Sequence, residues 1–162
     1  MKNPFAKITA AVAIATIAAL ARPGGGYSES ADDGIIRVRS GHSVEETVKI
    51  LERDIAAKGI KFFSEIDQAK LAAEAGIQLR PSILLTFGNP PLGIQFLTAD
   101  PYAGLDWPVR MLVLQDPAGE VWIAYNDFAY IARRHHIENR AEQFVMASQV
   151  AASIAGSAQA KP

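Results

Sequence analysis

The sequence predicts an α+β domain: a mixed, mostly antiparallel sheet with helices packed on one face. The expected order is β-α-β-α-β-α-β-β-α, followed by a long C-terminal helix. Three stretches carry this expectation. Residues 83–87, Ile-Leu-Leu-Thr-Phe, form an apolar run that ends in Gly88-Asn89-Pro90-Pro91. Such a run, bounded by turn residues, reads as a strand covered on both faces. Residues 43–46, Ser-Val-Glu-Glu, match a capping box and precede Val44, Val48, Leu51 and Ile55 at helical spacing. Residues 109–125 read as a hairpin turning at Asp116-Pro117-Ala118-Gly119, with Pro and Gly where a type I turn favours them.

The chain has 162 residues, 49% of them hydrophobic, and a formal charge of −1. That suits one globular domain and gives no electrostatic case for nucleic acid as a partner. With no cysteine, disulfides, thiolate metal sites and thiol catalysis are excluded. Residues 1–21 have the three parts of a secretory signal peptide. Lys2 and Lys7 form the basic start, residues 8–20 the apolar stretch, and Ala19-Leu20-Ala21 the small-residue cleavage site. The expected location is therefore periplasmic or secreted. A membrane contact is expected only if this leader stays uncleaved, and its apolar run is short for a span of about 20 residues. Residues 22–33, rich in Gly, Ser and Asp, read as a flexible lead-in.

The remaining elements follow in order. Ile35, Ile36 and Val38 mark a first strand, and Gly59 a stop for the capped helix. In residues 60–66, alternation places Ile60, Phe62, Ser64 and Ile66 on one face of a second strand. Asp67 caps a short helix over residues 68–75, and Asn89 and Pro90 open another after the apolar strand. Asn126-Asp127 caps a helix through Phe128 and Ile131. From Ile137 a helix is expected to run to Ala155 with an Ala-rich stripe, and residues 157–162 to fray.

The segments Thr86-Phe87-Gly88-Asn89-Pro90, Leu105-Asp106-Trp107-Pro108 and Gly119-Glu120-Val121-Trp122-Ile123-Ala124-Tyr125-Asn126-Asp127, with Asp67 after the second strand, resemble the markers of the domain-of-unknown-function family 302. The resemblance spans about residues 44–135. It implies a fold similar to TATA-box-binding-protein-like α+β domains over residues 34–137, with residues 138–162 as an appended helix and tail. It also implies a homodimer. It brings no established reaction, and so assigns no catalytic residue and no cofactor.

Candidate site residues come from weighing each motif. Asn89 presents an amide at a strand-to-helix corner, although Pro90 and Pro91 remove two of the donors an anion would need. Asp106, beside Trp107-Pro108, is a carboxylate that capping does not explain. Trp107 and Tyr125 belong to an aromatic surplus in the C-terminal half. Asn89, Asp106, Trp107 and Tyr125 are therefore the candidate ligand-binding set. His135, Glu138 and Glu142, at i, i+3 and i+7, form an alternative metal set suited to copper, zinc or nickel. No nucleophile elbow, zinc-protease motif or phosphate loop is present. The expected function is non-enzymatic binding of a small ligand or a partner protein. The alternatives are an enzyme or metal protein using Asp67, Asp106 or His135, and a structural homodimer joined through the C-terminal helix.

Overall fold

A computed structural model describes residues 33–160. The expected leader, residues 1–21, and all of the lead-in except Asp33 lie outside the described residues. Five strands form one sheet: β1 (Ile35–Arg39), β2 (Lys61–Asp67), β3 (Ser82–Gly88), β4 (Val109–Gln115) and β5 (Val121–Asn126). Five helices accompany them: α1 (Val44–Ala57), α2 (Gln68–Glu74), α3 (Pro90–Ala99), α4 (Phe128–Arg134) and α5 (Ala141–Gly156), with a short 3-10 turn over Pro101–Leu105. The element order is the expected one. The sheet order is β1-β5-β4-β3-β2 and every pairing is antiparallel, so the sheet is not mixed.

The alternation of side chains explains the layers. On one face Leu85, Phe87, Met111, Val113, Ile123 and Tyr125 are buried. Helix α1 lies across β2, β3 and β4 on that side, and α5 packs against α1, α3 and α4. The intervening residues Leu84, Thr86, Leu112, Leu114, Trp122 and Ala124 point the other way and are only half-buried. The expectation that β3 is covered on both faces is therefore corrected. An antiparallel strand needs only one covered face, and the unbroken run Ile-Leu-Leu hides that alternation.

Local signals explain the helix starts. Ser43 and Glu46 make the reciprocal capping box of α1. Asp67 accepts from the Lys70 N–H at 2.8 Å, and Asp127 from the Ala129 N–H at 3.0 Å. In the hairpin turn Gly119 has a φ of +85°, a conformation open to glycine at little cost. The Asp116 carboxylate there accepts from the Ala118 and Glu120 N–H groups and from the Trp122 indole.

Three further expectations are corrected. A register shift between Phe62 and Ser64 interrupts the alternation of β2, so Phe62 does not share a face with Ser64 and Ile66. The long C-terminal helix begins at Ala141, not Ile137, because the chain turns through His136 at a φ of 50°. The tail is not frayed as far as it is described. Ala158 is fully buried, and Ala160 donates to the Arg39 carbonyl at 3.0 Å, tying residues 158–160 to the end of β1.

Candidate functional site

Two features lie near the start of β4, and Trp107 stands beside both. The first is an apolar cavity of about 270 Å³ between the sheet, α3 and α5. Its wall is built from Phe87, Phe96, Trp107 and Phe128, with Leu92, Val150 and the small residues Ala147 and Ala151. Helix α5 reaches this wall because Phe144 stacks on Phe96, with ring centroids 4.3 Å apart. Alanines at 147 and 151 then leave room where longer side chains would fill it.

Gly88 and Gly93 also line the cavity, and the Trp107 indole requires glycine at 93 and packs tightly on 88. A Cβ on Gly93 would stand 1.9 Å from the indole Nε1, and one on Gly88 would stand 3.2 Å from it. The indole therefore lies directly on the backbone of the β3–α3 corner. Phe63 meets the same ring edge-on, with centroids 5.9 Å apart. Asn89 caps α3 through its backbone: its carbonyl accepts from the Leu92 and Gly93 N–H groups at 3.1 and 2.8 Å. Its side chain makes no cap bond. Lys58 is the one charged residue in the lining, and its ammonium is held by both oxygens of Asp54 at 2.5 and 2.6 Å.

The second feature is a buried polar cluster around Asp106, whose side chain is 2% exposed. Asp106 Oδ1 accepts from Arg110 Nη2 at 3.2 Å and Arg134 Nη1 at 3.3 Å, and is approached by the Asn126 amide at 3.4 Å. Oδ2 takes a second bond from Arg134 at 3.1 Å and lies 2.7 Å from His135 Nε2. His135 Nδ1 lies 3.1 Å from Asp100 Oδ2, so the imidazole bridges two carboxylates. Among the described residues no buried side-chain nitrogen or oxygen is left unpartnered. The cluster ties three chain segments together with the Asp106 carboxylate satisfied inside the fold, while the Arg110 and Arg134 side chains stay 46% and 48% exposed at its outer edge.

The four residues of the candidate ligand set are thus divided. Asn89 and Trp107 line the cavity, Asp106 belongs to the buried cluster, and Tyr125 sits in the core with 4% exposure. Burial, with a smaller contribution from Asp127, pushes the Tyr125 phenol up to about 12. The metal set is not assembled. Helix α4 ends at Arg134 and α5 starts at Ala141, so His135, Glu138 and Glu142 share no helix face, and the His135 ring is turned to Asp100 and Asp106. Among the described residues no group of three or more His, Asp or Glu side chains is disposed to hold a metal ion. Asp67 pairs across to Ile83, whereas Val109, just after Asp106, pairs with Phe87 at the other end of β3. Asp67 and Asp106 therefore form no common centre.

Sequence reading missed Phe96, Ala147 and Val150 in the cavity, and Arg110 and Arg134 in the cluster. The Ala-rich stripe of α5 was the one available signal for the cavity. Arg134 pairs with a residue 28 positions away, a separation no periodicity encodes.

Comparison with known proteins gives the family and the fold. The chain is 38% identical over 106 residues to the fluoride-specific ion channel FluC 1 of Brucella suis biovar 1, a match covering 65% of this chain and 42% of that protein. FluC 1 of Brucella abortus biovar 1 and FluC 2 of Brucella melitensis biotype 1 match at the same identity over 39% of their length. The chain thus spans less than half the length of these curated relatives. Among solved structures, an uncharacterised conserved DUF302 protein from Bacillus stearothermophilus superposes with a TM-score of 0.71 at 16% identity, covering 78% of this chain and 98% of that one. That likeness shows the fold. The family model "Domain of unknown function DUF302" matches residues 36–157, so it includes α5, which the sequence resemblance left outside. The chain belongs to the DUF302 family.

Proposed function

We propose that this chain is a non-enzymatic binding domain that works outside the cytoplasm and holds a small hydrophobic molecule in the cavity beside Trp107. The observation that carries the reading is the contrast between the two features. The cavity is concave, aromatic-walled and empty of side chains, as ligand sites are. Among the described residues, the titratable group around Asp106 has its carboxylate and imidazole bound to partners within the fold, whereas a catalytic acid or base must reach its substrate. The extracytoplasmic location draws on the leader-like residues 1–21. The names of the Brucella relatives raise fluoride as a ligand. A hard anion needs several converging donors or a free cation. Here the rim lysine is paired with Asp54 and the first two positions of α3 are prolines, so fluoride is not the ligand we assign.

The test is native mass spectrometry of protein taken from its own compartment, beside an Ala147→Phe variant that fills the cavity. One retained small molecule, lost in the variant, supports the reading. Turnover of substrates in a broad hydrolase or oxidoreductase panel, abolished by a change at Asp106, would overturn it.

A homodimer is a second reading, and the structure favours a different interface from the C-terminal helix. Helix α5 buries Phe144, Ala151, Ile154 and Ala155 in its own core. The sheet face of Leu84, Leu112, Leu114 and Trp122 is only half-buried and offers an apolar surface to a second copy. Leu112→Glu on that face should convert a dimer to a monomer in light scattering. A dimer that survives it would exclude this interface.

A further inference from the structure

We infer that the cavity selects an uncharged ligand: an apolar body of about ten non-hydrogen atoms bearing one oxygen acceptor, such as a small ketone, ester or lactone, and not an acid or an amine. The inference rests on the cavity being a ligand site and adds the chemical class.

Size comes from the volume. A dry apolar cavity of about 150 Å³ accommodates benzene, with its six heavy atoms. In proportion, 270 Å³ accommodates about ten.

Charge comes from the lining. Lys58 is the one charged side chain there, and Asp54, four residues earlier on α1, clamps it with both oxygens. A ligand carboxylate placed at Lys58 would also face the Asp54 carboxylate. A ligand ammonium would find that carboxylate already spent. The α3 N-terminus does not supply an anion cradle either. Pro90 and Pro91 carry no N–H, and the N–H groups of Leu92 and Gly93 both donate to the Asn89 carbonyl. Burying a charge in such a site without a partner is costly.

The acceptor comes from a donor in the cavity wall. Among the described residues no acceptor takes the Trp107 Nε1–H, which lies over Gly88 and Gly93 in the cavity wall. The Asn89 amide, also in the lining, makes no cap bond and is exposed to solvent at the rim. A ligand carbonyl beside the indole would take its N–H, and a pure hydrocarbon would leave that donor unpaired.

Calorimetric titration of the full chain with four probes of matched size tests this: 2-nonanone, octanoate, nonylamine and nonane. The expected order is 2-nonanone first, with octanoate and nonylamine weaker by about tenfold or more, and nonane between them. Trp107→Phe should bring 2-nonanone down to the level of nonane. Asp54→Asn, an isosteric change at a half-buried position of α1, releases Lys58 and should raise octanoate affinity by about tenfold while leaving 2-nonanone unchanged. That gain does not depend on a variant failing to fold. Octanoate or nonylamine binding as well as 2-nonanone to the unaltered protein would overturn the selectivity and leave the cavity reading intact. Equal binding of 2-nonanone and nonane would overturn the role of the indole donor. If none of the four probes binds, both the selectivity and the cavity reading fail.

Discussion

Asp106 holds one end of the domain closed, because a carboxylate removed from water must find its partners within the fold. It finds two guanidinium groups, an imidazole and an amide, drawn from β4, α4 and β5. Asp106→Ala would leave these groups facing a void. The expected cost is about 1–3 kcal/mol of stability, read by urea unfolding, because the half-exposed arginines regain water and the buried His135 loses a partner. The fraction that remains folded should still bind ligand in the cavity, because Asp106 does not line it. The sequence marked Asp106 as a carboxylate without a local explanation and put it in the ligand set, but it does not line the cavity. Its partners were invisible because they converge only in three dimensions. At Gly93 the reverse holds: an apparently unremarkable helix glycine is the seat of the indole. Gly93→Ala should cost about 1–3 kcal/mol by forcing Trp107 out of place, and should also weaken any ligand at that corner.

At the scale of elements, legibility followed chemistry that acts over a few residues. The capping box, the Asp caps and the Asp-Pro-Ala-Gly turn are short-range devices, and each appears where the sequence places it. Ser43→Ala should therefore lower stability by about 1 kcal/mol, measured by thermal unfolding. The hairpin turn makes a pH prediction. The Trp122 indole, followed by the backbone N–H groups of the turn, holds the Asp116 carboxyl below its usual range. A group depressed on folding contributes stability above its unfolded pKa, and the contribution is lost as pH falls through the folded value. Trp122→Phe should shift the Asp116 titration upward in a carboxyl NMR experiment; an unchanged midpoint would remove the indole as the cause. What the sequence did not show were features set by distant partners. The bulge at Phe63 depends on β3, and the late start of α5 depends on the His136 turn. The ordered tail depends on the free edge of β1. None of these has a local signature.

At the scale of the whole molecule, one sheet separates a covered face from an uncovered one, and the cavity opens on the covered side where α5 crosses above α3. The fold class was legible because layer order follows from element order and from a single hairpin. The cavity was not, because it is a space between α3, α5 and the sheet, and sequence patterns report what is filled. Its meaning can be decided by one experiment: native mass spectrometry of the protein isolated from its own compartment, with Ala147→Phe alongside. We expect one uncharged small molecule per chain in the unaltered protein and none in the variant. An empty protein, or a molecule retained equally by both, would contradict the assignment of the cavity as the binding site.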